Sequence, residues 1–243
     1  MNWHQRYLEQ ASWTRHLRDY LFDKTELSRA GRVLEVGCGT GAILSTLQTS
    51  AIFHGLDLEA SALSEAKLHA ADACLTRGDA HCLPYPNHSF DITYFHYFLL
   101  WARQPLKALL EMKRVTRTNG YVLALAEPDY THRTDKPGSL KALGLLQNES
   151  LQRQGADIGL GAHLADLFFQ AGIKIIETGA IRSRRGAASA SEKWGSEWAV
   201  LESDLSGSLP SHEIMRWKKL NQNAYSSGEL LLNVPTYFAW GQV

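Results

Sequence analysis

Glu35-Val36-Gly37-Cys38-Gly39-Thr40-Gly41 is the stretch on which the reading of this chain turns. It closes Arg32–Val36, a compact run of β-branched and Leu residues, and precedes Ile43–Gln48, which carries helical spacing. Glycines between a strand and a helix let the backbone turn tightly and approach a ligand at the carboxyl end of a sheet. The spacing is G-x-G-x-G with an acid two residues before the first glycine, whereas a dinucleotide fold wants G-x-G-x-x-G. A carboxylate at that strand end repels a pyrophosphate but attracts or orients the ammonium of an amino-acid ligand. A nicotinamide-dependent oxidoreductase is disfavoured on this spacing.

Outward from the loop, short apolar runs alternate with helix-like segments, the rhythm of a parallel sheet with crossover helices. Ile52–Leu58 contains a second acid, Asp57, 22 residues after Glu35, where a carboxylate accepts hydrogen bonds from a ribose diol. Cys74–Arg77 is closed by Gly78-Asp79, and Asp79 can accept from an exocyclic adenine amine. Asp91–Phe95 and Tyr121–Ala126 are the fourth and fifth runs, the last closed by Glu127-Pro128. Helical spacing recurs in Ser61–Ala71 and Pro105–Thr116, where Leu106, Leu109, Leu110 and Lys113 fall on one face. Farther on, Leu160–Gln170 predicts a helix, Ile173–Ile181 and Thr236–Val243 predict strands, and 186–230 reads as short helical pieces. Residues 1–30 predict an aromatic-rich helical cap, with Trp13, Leu17, Tyr20 and Leu21 docking it on the core. One α/β domain is expected, with a cap (1–30), a cofactor-binding half (31–130) and a substrate half (131–243) holding a 186–230 lid insertion.

The segments VLEVGCGTGAIL from Val33, GLDLEASALSEA from Gly55, RGDAHCLPYPNHSFDITYFHYFLLW from Arg77 and GYVLALAEP from Gly120 resemble the class I S-adenosylmethionine-dependent methyltransferases. The likeness is closest to the ubiquinone/menaquinone and small-molecule group and covers about residues 31–130. It implies a Rossmann-like seven-stranded sheet, order 3-2-1-4-5-7-6 with strand 7 antiparallel, and helices on both faces. It implies S-adenosyl-L-methionine as cofactor, with Glu35, Gly37, Cys38, Gly39 and Gly41 at its methionine end. Asp57 would take the ribose, Leu58 pack on adenine, and Asp79-Ala80 read the adenine edge. Phe95 and His96 would lie beside the sulfonium, with His96 the candidate catalytic residue. Trp3 and Tyr7 are candidate lid residues, and Glu127 lies at the same sheet edge as a candidate substrate contact. Residues 1–15 and the insertion, with Trp194 and Trp198, are expected to close over the site, and Arg182-Ser183-Arg184-Arg185 can grip a carboxylate or phosphate.

The function expected is methyl transfer to a small-molecule acceptor. The alternatives are a non-methylating member of the same fold that uses the cofactor structurally, and an RNA methyltransferase. No Asn/Asp-Pro-Pro-Tyr-like tetrapeptide follows the fourth strand, which argues against planar amides and exocyclic base amines as substrates. With 25 Lys+Arg against 25 Asp+Glu, zero net charge weighs against nucleic acid as a partner. Of 243 residues 44% are hydrophobic, enough for a sizeable core. Three cysteines without Cys-x-x-Cys spacing suit a reducing cytoplasm. No signal peptide is read at the N-terminus, and the apolar stretch 94–102 is far short of the ~20 residues of a bilayer span. Ten histidines show no H-x-x-x-H spacing, and no metal is expected.

Overall fold

The computed structural model describes residues 3–181 and 191–243. Its strands are β1 (Arg32–Val36), β2 (Ile52–Asp57), β3 (Cys74–Arg77), β4 (Phe90–Phe95), β5 (Thr116–Pro128), β6 (Thr134–Lys136), β7 (Lys174–Ile181), β8 (Leu231–Asn233) and β9 (Thr236–Gln242). Its helices are α1 (Trp3–Trp13), α2 (Arg15–Lys24), α3 (Ala60–His69), α4 (Pro105–Val115), α5 (Lys141–Arg153), α6 (Leu164–Gln170), α7 (Ser191–Leu205) and α8 (Ser211–Ser226). Seven strands form one sheet in the order β3-β2-β1-β4-β5-β9-β7. The first five run parallel, and β9 is antiparallel to both its neighbours. This is the expected order with its last strand reversed. The β6–β8 ribbon is a separate antiparallel pair that no sequence pattern foreshadows.

The central strands are apolar almost throughout because both faces of the sheet are covered. Val33 and Leu34, adjacent on β1, point to opposite faces. Val33 joins Leu21, Phe22, Ile92 and Trp240 beneath α2, whereas Leu34 joins Phe95, Leu109, Met112 and Phe168 beneath α4 and α6. On α4 the buried stripe is Ala108, Leu109, Met112 and Val115, so the expected face is rotated and Leu110 is exposed. Lys113 instead donates to the carbonyls of Ala171 and Gly172, closing the end of α6. The cap docks through Leu21 and Phe22; Tyr20 stays exposed and donates to Glu177.

A third apolar cluster stands apart from the sheet. Leu140 and Leu143, at the start of α5, pack with Trp198, Leu201 and Leu205 of α7 and Ile214 and Ala224 of α8. The described part of the insertion, from α7 onward, is thus a small helical layer with its own core. Ile43–Gln48 forms only a short 3₁₀ turn at Leu44–Thr46, not a full helix. The Ser45 and Thr46 hydroxyls bond back to the Ala42 and Ile43 carbonyls, a local alternative that competes with helix continuation. Among the described residues no helix is long and apolar enough to cross a membrane.

Candidate active site

The glycine loop leaves β1 through left-handed conformations at Gly37 (φ 73°) and Gly41 (φ 74°). A Cβ on Gly37 would lie 2.3 Å from the Phe98 ring, and one on Gly41 would lie 3.3 Å from the Cβ atoms of Ala66 and Ala70 on α3. Glycine is therefore needed for both the turn and the close packing. The amides of Gly37 and Cys38 donate to the Leu56 carbonyl at the end of β2. Asp57 finishes the brace: its Oδ2 accepts from the Gly39 amide at 2.7 Å and its Oδ1 from the Glu59 amide at 2.9 Å.

A cavity of about 470 Å³ opens over this loop at the carboxyl ends of β1, β4 and β5, the edge where open α/β sheets bind ligands. Its wall on the loop side includes Glu35, Cys38 and Gly39. Gly37, Gly41 and Asp57 are not among its lining residues. Cys38 contributes backbone, since its thiol sits in a small apolar cluster with Leu44 and Ala70, where burial pushes its pKa up.

Glu35 is 4% exposed and accepts from the Tyr94 hydroxyl at 3.0 Å. Burial raises its pKa to about 8, against the lowering effect of the Tyr94 bond and the Arg18 charge.

At the end of β4 the structure corrects one expectation. Phe95 is fully buried in the sheet core and does not reach the cavity; His96 and Tyr97 do. His96 Nε2 lies 2.9 Å from Thr14 Oγ1, and burial pulls the imidazole down to about 3, with Arg18 adding to the shift. It is therefore neutral at physiological pH and a weak base.

Glu127 is likewise no cavity contact. It is fully buried and accepts from the amides of Phe98, Leu99 and Leu100, so its carboxylate holds the 3₁₀ turn after β4. Burial lifts its pKa to about 7, and the three amides pull the other way. Asp129 is also fully buried, with His132 Nδ1 and the Thr131 amide at its oxygens. The chain around Pro128 is thus a packed corner.

Of the residues expected at the adenine end, Leu58 is 58% exposed beside the loop, whereas Ala80 is buried. Asp79 accepts from the amide and ring of His81.

From α1, Trp3 and Tyr7 reach the cavity with ring centroids 5.8 Å apart, and a Cβ on Gly39 would lie 3.8 Å from the Tyr7 ring. Burial, with the charges of Asp57 and Glu65, pushes the Tyr7 phenol up. The insertion supplies Trp198, whose Nε1 donates to Glu202. Trp194 donates to Asn221 and stays outside the wall. The cluster 182–185 lies outside the described residues.

Several wall residues carry no sequence signal, among them Thr14, Tyr130, Leu143 and Arg133. Arg133 grips Asp135 through two nitrogens and donates to Gly144, Gln147 and Asn148. Its spacing to those partners reflects tertiary packing, which no local motif records.

Known proteins resemble the chain in its glycine-loop half. Residues 34–124 match the family model described as a methyltransferase domain. The seven-stranded sheet order is the Rossmann-like fold of solved methyltransferase structures, and that segment is similar in sequence to the family.

Among curated relatives, it is 33% identical over 138 residues to a malonyl-acyl-carrier-protein O-methyltransferase of Halorhodospira halophila, covering 53% of this chain and 46% of that one. It is 31% identical over 125 residues to a demethylmenaquinone methyltransferase of Renibacterium salmoninarum, covering 51% and 52%. The chain thus spans about half the length of these relatives. A solved Haemonchus contortus phosphoethanolamine N-methyltransferase 2, in complex with S-adenosylhomocysteine, superposes with a TM-score of 0.59 at 17% identity, covering 94% of this chain and 52% of that one.

Proposed function

We propose that the protein transfers a methyl group from S-adenosyl-L-methionine to a small, partly apolar acceptor. The observation that carries the reading is Glu35, a buried carboxyl at the end of β1 placed in one cavity wall with the Gly39 backbone, where a carboxylate can meet a cation. An amino-acid ammonium is such a cation. Asp57, which already organises the loop, keeps lone pairs free for a ribose diol, and Leu58 offers an exposed apolar face to the base. Asp79 and the backbone of Ala80 are the proposed adenine contacts, and Gly37 and Gly41 shape the methionine end.

The cofactor supplies an activated methyl carbon, which the acceptor attacks in line as the sulfur–carbon bond breaks. The chain's part is to align and to exclude water; such positioning is worth ~7–11 kcal/mol. Trp3, Tyr7 and Trp198 supply apolar cover, and aromatic faces favour a sulfonium by cation–π attraction. We assign α1 and the α7–α8 layer as the lid. His96, neutral and at the reacting end, holds an acceptor by hydrogen bonding and is suited to positioning more than to storing a proton.

The acceptor class follows from the wall, which is mainly aromatic and aliphatic, and from Arg133, whose donors are engaged within the protein. The names of the curated relatives support small acceptors of differing chemistry. Zero net charge supports a role without nucleic acid, and the cysteine usage supports a cytoplasmic location.

The test is calorimetry with S-adenosylhomocysteine, followed by radiolabelled methyl transfer to a metabolite panel and to bulk tRNA. Binding followed by label in a small molecule is expected. Label confined to tRNA, or absence of binding, refutes the reading.

A further inference from the structure

Three side chains meet on the outer side of the glycine loop, away from any role assigned above. Glu65 and His69 are four residues apart on α3 and so share one face of that helix. His4 comes from α1, is 7% exposed, and stacks its ring on that of His69 with centroids 3.4 Å apart and planes 7° apart. Its Nδ1 lies 3.0 Å from Thr40 Oγ1 within the loop. One potential ligand atom from each of His4, Glu65 and His69 lies within 4.8 Å of the other two. We infer that these three residues form a site for a divalent transition-metal ion of the zinc type, which ties α1 to α3 across the glycine loop.

Two imidazoles and a carboxylate are a donor set suited to zinc, and three protein ligands leave a position for water. The histidine spacing in the sequence gives no hint of the site, because one ligand arrives from a different helix. His4 is already oriented as a ligand. With Nδ1 engaged by Thr40, Nε2 is the nitrogen left for a metal, and such outer partners are what fix ligating histidines. The stack itself is not a ligating geometry, since parallel rings cannot both aim an in-plane lone pair at one ion. His69 is exposed, so its ring is free of the packing that would oppose a turn out of the stack. Bonds of about 2.0–2.2 Å place tetrahedral ligand atoms about 3.3–3.5 Å apart, a contraction within reach of side-chain rotation.

The position gives the ion a consequence. Ala66 of α3 and Ala70 just beyond it lie against Gly41, and α1 carries Tyr7 over Gly39. A bound ion would fasten the cap helix to the helix that supports the loop. This is independent of the methyl acceptor and of methyl transfer itself.

The test titrates the full chain, free of any histidine tag, with zinc chloride by calorimetry, and with cobalt to read the visible absorption of a four-coordinate site. One ion per chain is expected. His69→Gln and Glu65→Gln should each weaken it by about tenfold or more, with circular dichroism confirming that both variants fold. His212→Gln, on exposed surface far along the chain, should leave binding unchanged. Zinc should also slow hydrogen exchange in residues 3–13 of the wild type and not of His69→Gln. No saturable binding, or binding in both site variants as tight as in the wild type, overturns the site. Binding without slower exchange in 3–13 overturns the tie.

Discussion

Thr14 Oγ1 and His96 Nε2, 2.9 Å apart, join the break between α1 and α2 to the carboxyl end of β4. The cap is therefore hydrogen-bonded to a side chain of the cavity wall. Thr14 is 3% exposed, and its hydroxyl also lies 3.3 Å from the Ala11 carbonyl. Thr14→Val keeps the shape and removes the oxygen. The loss of one such bond, about 0.5–1.5 kcal/mol, should lower turnover roughly two- to tenfold. Affinity for S-adenosylhomocysteine should hold, and nitrogen NMR of His96 should show a changed tautomer balance. Unchanged turnover and spectrum would leave Thr14 as a helix-break residue alone.

Glu35 sets a proton linkage. If its carboxylate meets the cofactor ammonium, binding must expel the proton that burial keeps on it up to about pH 8. At pH 6.5, wild-type binding of S-adenosylhomocysteine should release up to one proton more than Glu35→Gln does. Calorimetry in buffers of different ionisation enthalpy measures this directly. Equal proton counts would place the ammonium elsewhere.

The same shift governs stability. The folded pKa of Glu35 is raised, so its contribution is full below about pH 4.5 and is lost as pH rises through about 8. His96 works in the opposite sense: its folded pKa is lowered, so stability is lost as pH falls from about 6.5 toward 3. Each effect is on the order of a few kcal/mol. Urea unfolding from pH 5 to 8 should therefore show Glu35→Gln with a flatter decline on the alkaline side than wild type.

Asp57→Ala should do two things at once. It removes the acceptor of the Gly39 amide, so that amide should exchange faster in the ligand-free protein. It also removes the proposed ribose acceptor, weakening cofactor binding by about 1.5–3 kcal/mol. Faster exchange with undiminished affinity would confine Asp57 to bracing the loop.

Glu127→Ala strands three amides that its carboxylate now satisfies. With about 1–3 kcal/mol for each buried group left unpaired, a loss of at least about 3 kcal/mol in denaturant unfolding is expected. Glu127→Gln keeps one oxygen acceptor and should lose less. A neutral alanine variant would mean that water takes over the amides.

The sheet was legible because strand runs and their closing acids are local features: Val33–Val36, Asp57 and Asp79 lie where the alternation and turn residues put them. The glycine loop was legible for the same reason. What local pattern could not tell was orientation. Phe95 and His96 are neighbours, and only the pleat decides that the first enters the core while the second meets the cavity. Glu127 reads as a surface acid because nothing nearby in sequence reveals three amides waiting 27 to 29 residues upstream. The α5–α7–α8 layer was visible only as apolar residues without a partner, since Leu140 and Leu143 join Trp198 and Leu201 from more than 50 residues away in sequence.

The placement of β9 bears on how the molecule is made. Thr236–Gln242 sits between β5 and β7, and among the described strands β7 is laddered to β9 alone. During vectorial synthesis on a ribosome, β1 to β5 can pair as they emerge, but β7 must wait, unladdered, for more than 50 further residues. The order of manufacture thus differs from the order of strands in space. The nascent chain holds an open edge at β5 until β9 closes it, and trimming those seven residues would detach β7 as well.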